Sequence, residues 1–345
     1  MPVLLDKLLM VKFILILLAS LAFTFVSAIP FINFLYRLKF KSGKVTGKDI
    51  FGRQSEYLKI QGHKVGTPIG GGILMIFSIS AFLIIFYSLT RFSFNWTSHI
   101  LFLTLIIFGI LGFYDDAMKM LRWWKRGKIF NLSFKWKFSL QWLGAFVISY
   151  LIYSKIGVSS VSLPLMGILN LGWFFIPWGA FVIVASTNAF NITDGMDGLS
   201  TGLLLIVLAP MFYLASFSTF GSDIGVFITV LVGTLLAFLY FNIYPARLFM
   251  GDTGALAFGA LLGAIALIIG QSFAIFILGA VFYVEAATSA LQIFYSLATG
   301  GKRIFKIAPL HHHFEALGWP ETKVTMRFWL AGAFFATLGL LVALL

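Results

Sequence analysis

Cysteine is absent from all 345 residues, which excludes a disulfide framework, a thiolate metal site and a cysteine nucleophile. Charge is nearly as scarce: charged residues make up 11% of the chain, where soluble globular domains approach about a quarter, and hydrophobic residues reach 60%. Acidic side chains number only 12 against 25 lysines and arginines. Internal repeats, low-complexity tracts and any linker that would divide the chain are also missing. These absences point to an all-α, polytopic membrane protein in one domain, residues 1–345, with the lipid bilayer as its surroundings. The net charge of +13 then reads mainly as a topology signal, with the remainder able to attract anionic lipid or phosphorylated substrate. No nucleic-acid partner is expected.

A membrane-crossing helix needs about 20 mostly apolar residues. Ten stretches meet that need, at about 10–34, 67–90, 98–116, 138–155, 172–190, 199–218, 223–241, 254–270, 272–297 and 326–345. Lysine and arginine gather in cytoplasmic loops, and ten spans put 21 of the 25 cations on one side. They lie between Arg37 and Lys64, between Lys119 and Lys137, at Arg247, and between Lys302 and Arg327, leaving Lys7, Lys12, Arg91 and Lys155 opposite. Ten transmembrane helices with both termini outside the cytoplasm (periplasmic) fit this pattern. The first span imitates a secretory signal, with Lys7, Lys12, an apolar run and Val26-Ser27-Ala28. Cleavage is not expected, since it would put the cation-rich loop after Tyr36 on the outer face.

Carboxylates at the edge of a bilayer cost free energy, so they are usually kept for ions, protons or substrates. Five of the twelve acids sit in short polar islands between apolar runs, and every island falls on the cytoplasmic side of this topology. In Asp115-Asp116-Ala-Met-Lys119, Asp115 and Lys119 are one helical turn apart and share a face, while the two aspartates diverge by about 100°. One carboxylate is thus placed to pair with lysine and the other to face a neighbouring helix. The reading as a magnesium or proton-handling site competes with that of an interfacial ion pair.

A second island, Asn188-Ala-Phe-Asn191-Ile-Thr-Asp194-Gly195-Met-Asp197-Gly, superficially suggests a calcium loop. Counted from Asn191, however, Met196 stands where the EF-hand glycine belongs and Gly202 where its bidentate acid belongs. Oxygen-rich recognition of a sugar or nucleobase suits it better than a tight structural turn. The third island, Phe249-Met-Gly-Asp252-Thr-Gly, opens a span, and a glycine-flanked helix N-terminus admits phosphate as well as a plain cap. A carboxylate there can share a divalent cation with phosphate oxygens.

The fourth island, Ala-Pro-Leu-His311-His312-His313-Phe-Glu315, holds three of the five histidines. Consecutive residues rarely converge on one metal, so contact with phosphate or sugar oxygens, or proton transfer, suits these imidazoles better than zinc. The stretch Gly66-Thr67-Pro-Ile-Gly-Gly-Gly72 lacks the ending of a nucleotide P-loop, and close helix packing explains it equally well. Lys64 precedes it as an anion contact.

Taken together, the four islands resemble the polyprenyl-phosphate N-acetylhexosamine-1-phosphate transferases. The three histidines followed by Phe-Glu315 and then Gly318-Trp319-Pro320-Glu321 are most similar to the branch that transfers phospho-N-acetylmuramoyl-pentapeptide. The resemblance runs from about Lys64 to Trp329. It implies a ten-span fold in the bacterial inner membrane, with the active site on the cytoplasmic face. It also implies a magnesium (Mg2+) requirement and transfer of phospho-MurNAc-pentapeptide from UDP-MurNAc-pentapeptide to undecaprenyl phosphate, giving lipid I and UMP in peptidoglycan synthesis. A homodimer is a further expectation.

The resemblance also implies roles. Asp115, Asp116, Asp252 and His311 would be catalytic, with Asp252, Asn191 and Asp116 at the metal. Asn188, Asn191, Asp194, Gly195 and Asp197 would hold the cation and the uridine end, with Phe249 and Lys64 near the base and Thr67 also at the substrate. Lys119, Lys137, His311, His312 and His313 would meet phosphates and the rest of the donor. Phosphoryl transfer needs charge neutralisation and alignment more than covalent chemistry from the protein. Asp115 is then expected to deprotonate or orient the lipid phosphate and Asp116 to support the ion or its water shell; a two-step route with an aspartate nucleophile is the alternative. Two rival functions follow from the same residues. One is a UDP-GlcNAc:polyprenyl-phosphate GlcNAc-1-phosphate transferase. The other is a cation-coupled transporter, which expects ionisable residues near span midpoints, where Glu285 is the single acid so placed.

Overall fold

The computed structural model of the chain describes residues 7–38, 66–90, 94–125 and 134–345. Lys64 and most of the two long cation-rich loops lie outside the described residues. Twelve helices and one hairpin follow in chain order among those described: α1 (Lys7–Arg37), α2 (Gly71–Leu89), α3 (Trp96–Lys125), α4 (Phe134–Leu151), β1 (Ser160–Leu163), β2 (Gly167–Asn170), α5 (Phe175–Thr193), α6 (Leu199–Ala215), α7 (Gly221–Asn242), α8 (Gly251–Ile268), α9 (Ile275–Leu278), α10 (Ala280–Ala298), α11 (Leu310–Ala316) and α12 (Glu321–Leu344).

Every expected span coincides with one of these helices, and 272–297 is broken at Gly279 into α9 and α10. Seven are long and apolar enough to cross a membrane: α1, α2, α3 as far as Lys119, α5 with the turn before it, α7, α8 and α12. The other three fall short for visible reasons. Lys135, Lys137 and Gln141 make the start of α4 polar, α6 has only 17 residues, and Glu285 and Gln292 interrupt α10. Besides the short α11, the hairpin is the element that the ten expected spans leave out. It pairs Ser160 with Asn170 and Leu163 with Gly167, turns through Leu165 and Gly167 at positive φ, and is tied to the end of α8 where Ser162 N–H donates to Gly270 O at 2.9 Å.

The centre of the molecule is α8, whose side chains are buried all round from Thr253 to Ile268. A helix apolar on every face belongs inside a bundle. Between membrane helices there is little hydrophobic drive, so close approach depends on small residues, and α8 carries glycines at the points of approach. A Cβ on Gly259 would lie 2.7 Å from Thr187 Cα, and one on Gly263 2.9 Å from Ile183 Cα, both on α5. At its N-terminal end, Gly254 packs on Gly72 of α2 and the backbone of Asp252 on Gly112 of α3, so closely that a Cβ on either partner would overlap main-chain atoms.

The Gly66–Gly72 stretch joins this contact. Phe249 N–H donates to Pro68 O, Phe249 O accepts the N–H groups of Gly70 and Gly71, and Gly72 N–H donates to Met250 O. Helix packing is therefore what Gly70, Gly71 and Gly72 perform. Around this post, α1 buries one stripe, from Phe13 through Ile16, Ser20, Thr24 and Ala28 to Leu35, against α7. There Gly233 admits the Ser20 side chain and Thr24 Oγ1 meets Thr234 Oγ1 at 3.3 Å.

Candidate functional site

The first turn of α8 brings the acidic islands together. Asp116, on α3, is buried and directs both oxygens at that turn: Oδ1 accepts the Asp252 N–H at 3.0 Å, and Oδ2 accepts the Thr253 N–H at 2.9 Å and the Thr253 hydroxyl at 2.6 Å. Met250, at the cap position, makes no side-chain hydrogen bond. A side chain from another helix thus supplies the acceptors that a helix start requires. Gly251, at φ 77°, keeps room for it, since a Cβ there would lie 2.7 Å from Asp116 Oδ2.

One turn of this geometry separates the roles of the paired aspartates. Asp115 points the other way and meets Lys119 at 2.8 Å, one turn along α3, as the spacing predicts. Lys119 also reaches Asp252 Oδ2 at 2.9 Å. Lys137, from the first turn of α4, completes a ring, 3.0 Å from Asp115 and 2.6 Å from Asp252. Two carboxylates and two ammonium groups from three helices therefore balance charge within one cluster. Lys119 is 54% exposed and Lys137 20%, so the cluster opens to solvent on the lysine side.

From α5, Asn191 brings its amide to 3.4 Å from Asp252 Oδ1. Asn188, one turn earlier, donates to Gln141 Oε1 on α4 and to Val184 O, both at 2.8 Å. It braces α5 against the helix that carries Lys137. Gln141 lies four residues after Lys137 and so on the same face of α4, a spacing that would have flagged it.

The turn after α5 is knotted. Asp194 accepts the Ser200 hydroxyl. Asp197 Oδ2 accepts the Ala246 N–H at 2.9 Å, and the Asp197 N–H donates to Glu321 Oε1 at 2.7 Å. Asn242 Oδ1 accepts the Gly198 N–H and the Thr201 hydroxyl. Asp197, Asn242 and Glu321 join α5, α6, α7 and α12 here; Asp197 stands among the candidate site residues and Glu321 in the motif after the histidines, while Asn242 is not singled out in the sequence. Thr67 and Phe249 lie beside the paired segments that lead into α2 and α8.

The three histidines divide. His311 and His312 are buried against Gly195, where a Cβ would overlap His311 Nε2 and sit 3.2 Å from His312 Nε2. His313 instead uses Nδ1 to accept the Lys306 N–H at 3.1 Å, bracing the loop before α11. Glu285, the acid expected deep in a span, is fully buried on α10 and holds His311.

Asp115 and Asp252 present carboxylate oxygens at one place, beside the Asn191 side-chain amide, and hard oxygen is the donor class suited to magnesium rather than to zinc. Among the described residues no group of three or more His, Cys, Asp or Glu side chains gathers as a ready metal cage. Magnesium is usually held by one or two carboxylates together with substrate phosphates, and the cluster fits that habit.

Comparison with known proteins adds a second line. The sequence model of glycosyl transferase family 4 matches residues 98–270. A phospho-N-acetylmuramoyl-pentapeptide-transferase from Listeria monocytogenes is 37% identical over 316 residues, which covers 91% of this chain and 93% of that one. A protein of the same name from Desulfovibrio desulfuricans is 35% identical over 343 residues, with 94% and 91% covered. A third, from Desulforapulum autotrophicum, is 39% identical over 294 residues, with 80% of each covered.

Proposed function

The chain belongs to glycosyl transferase family 4 and, within it, to the phospho-N-acetylmuramoyl-pentapeptide transferases, and we propose that the ring of Asp115, Asp252, Lys119 and Lys137 is its reaction centre. It transfers phospho-MurNAc-pentapeptide from UDP-MurNAc-pentapeptide to a lipid carrier in peptidoglycan synthesis, with release of UMP. The carrier is undecaprenyl phosphate and the product lipid I. The single observation that carries the assignment of the centre is the meeting, at the first turn of a buried helix, of carboxylates and lysines from islands more than a hundred residues apart.

An oxygen of the lipid phosphate attacks the phosphorus that bears the sugar, and the bond from that phosphorus to the bridging oxygen of UMP breaks, UMP leaving with the electron pair. Lys119 and Lys137 are the groups that bind the reacting phosphates, by exchanging their carboxylate partners for phosphate oxygens. As they do so, Asp115 is released from its two lysine partners to face the attacking phosphate, whose proton it takes. Asp252, with Asn191, would hold a magnesium ion. When bound, that ion supplies neutralisation of the charge that grows on the departing UMP. Asp116 acts one step back, by fixing the turn from which Asp252 projects. The 188–197 island holds the nucleoside end.

Ten spans with both termini outside the cytoplasm put this centre on the cytoplasmic face of the bacterial inner membrane. The lipid tail then stays in hydrocarbon while its phosphate reaches the water-soluble donor. The test is purified protein incubated with UDP-MurNAc-pentapeptide, undecaprenyl phosphate and magnesium. UMP and lipid I are expected in equal amounts. Turnover of UDP-GlcNAc in preference to UDP-MurNAc-pentapeptide would overturn the assignment.

A further inference from the structure

The outer face of α12 changes character along its length. Leu330, Phe334, Leu338 and Leu341 are exposed and recur at three- and four-residue spacing, so they form one stripe, while Val324, Thr325, Gly332, Ala336 and Gly339 are buried on the opposite face. On a helix long and apolar enough to cross a membrane, such a stripe lies against lipid tails. Followed towards the start of the helix, the same stripe meets Arg327 and then Lys323, both exposed. Arg327 stands about 26 Å from Leu344 at 1.5 Å per residue, close to the roughly 30 Å of the hydrocarbon layer, so the two cations come at headgroup level.

Trp319 gathers them. Lys323 Nζ lies 4.9 Å and Arg327 Cζ 4.3 Å from the centre of its ring, which stacks on Phe314 at 4.8 Å. The electron-rich face of one ring thus holds two like charges close together, and an anion beside them would balance both. The platform beneath is fixed from inside: Glu321 Oε1 accepts the Asp197 N–H at 2.7 Å, the Thr325 hydroxyl donates to Asp197 O at 3.4 Å, and Trp329 Nε1–H donates to Leu199 O at 3.3 Å. From Lys302 to Arg327 the chain carries five cations and two acids. Both acids turn inward, Glu321 to Asp197 and Glu315 to His312, whereas all five cations are exposed. This segment therefore shows the outside a single sign of charge.

We propose that Lys323, Arg327 and Trp319 form a binding site for the headgroup of an anionic phospholipid, whose tails lie along the stripe from Leu330 to Leu341. The two cations pair with the phosphate oxygens and the indole marks the boundary between headgroup and tail. A soluble phosphate has no tail to lay on the stripe, and phosphatidylcholine brings an ammonium group against the two cations. The site uses none of the residues of the reaction centre and does not rest on the transferase assignment.

The test is titration of the full chain in detergent with phosphatidylglycerol or phosphatidylcholine, read as bound lipid by native mass spectrometry. The native protein should prefer phosphatidylglycerol about tenfold, and Lys323→Gln combined with Arg327→Gln should weaken its binding about tenfold or more. Lys302→Gln combined with Arg303→Gln removes as much charge away from the stripe and should weaken it less than about threefold. Equal losses in the two double variants would overturn the proposal, since charge alone would then explain them. Equal retention of the two lipids by the native protein would also overturn it, as would full displacement of phosphatidylglycerol by inorganic phosphate. Leu330→Cys, which would be the only cysteine of the chain, should stay monomeric under mild oxidation in the membrane; a disulfide-linked pair would mean that a second copy covers the stripe instead. Should the Lys323 and Arg327 variant fail to fold, lipid preference and phosphate competition in the native protein decide.

Discussion

Asp116 accepts both the backbone N–H and the hydroxyl of Thr253, a residue 137 positions away on a different helix. The start of α8 is thus capped in trans, and the cap is the neighbour of Asp115 in the chain. Two adjacent carboxylates are divided between an interior bond and an open charge cluster.

Removing the cap should loosen the turn that carries Asp252. Thr253→Val deletes one hydrogen bond and should cost about 1 kcal/mol, whereas Asp116→Ala strips three and should cost about 2 kcal/mol or more. Amide exchange of residues 251–254, followed by mass spectrometry without added metal, should quicken in both, and Thr253→Ser should behave as native. Unchanged exchange in Asp116→Ala would show that the capping contact is not formed.

Asp252→Asn should lower UMP release about a hundredfold or more, the scale on which loss of one charge-stabilising group acts, while the protein inserts and melts as native. Near-native turnover would remove Asp252 from the reaction centre.

The two lysines should differ. Both touch Asp115 and Asp252, but Lys137 is the more enclosed, so Lys137→Ala leaves two partly buried charges short of their better-sheltered partner, and turnover should fall about a hundredfold. Lys119 is half exposed, and Lys119→Ala should cost about tenfold. Steady-state kinetics of the two variants side by side decide the order, and equal effects would contradict it.

Chelation should abolish turnover without unfolding. Lysines already pair with the carboxylates of the cluster, so removal of magnesium should leave the melting temperature within about 2 °C and re-addition should restore activity. A large drop in melting on chelation would mean that the metal is part of the fold.

The glycine seam is also open to test. A methyl on Gly72 would run into the Gly254 backbone, which cannot yield as a side-chain tip can, so Gly72→Ala should destabilise by about 1–3 kcal/mol. Thermal unfolding in detergent measures it, and a native melting curve would refute the close contact.

Much of this site is legible in the sequence because charge is so rare there. The Asp115–Lys119 spacing predicts their ion pair, and the divergence of adjacent helix positions predicts that Asp116 faces elsewhere. Lys137, expected at the phosphates, stands within 3.0 Å of both Asp115 and Asp252. What the sequence hides are the partners drawn from apolar or neutral surroundings. Thr253, Gln141 and Asn242 are unremarkable letters until packing brings Asp116, Asn188 and Gly198 to them. The hairpin at 160–170 is hidden for a different reason, since its alternation is too short to stand out between two long helical patterns.

The tight seating of α8 decides which parts can adapt. With Gly72 on one flank and Gly112 on the other, the platform beneath Asp252 has no slack for even a methyl group. Room for the donor and the lipid is therefore to be sought on the opposite wall, where Lys119 and Lys137 stand. A compound built to jam the enzyme would gain most by gripping those two lysines, because the glycine seam leaves it nothing to enter on the other side.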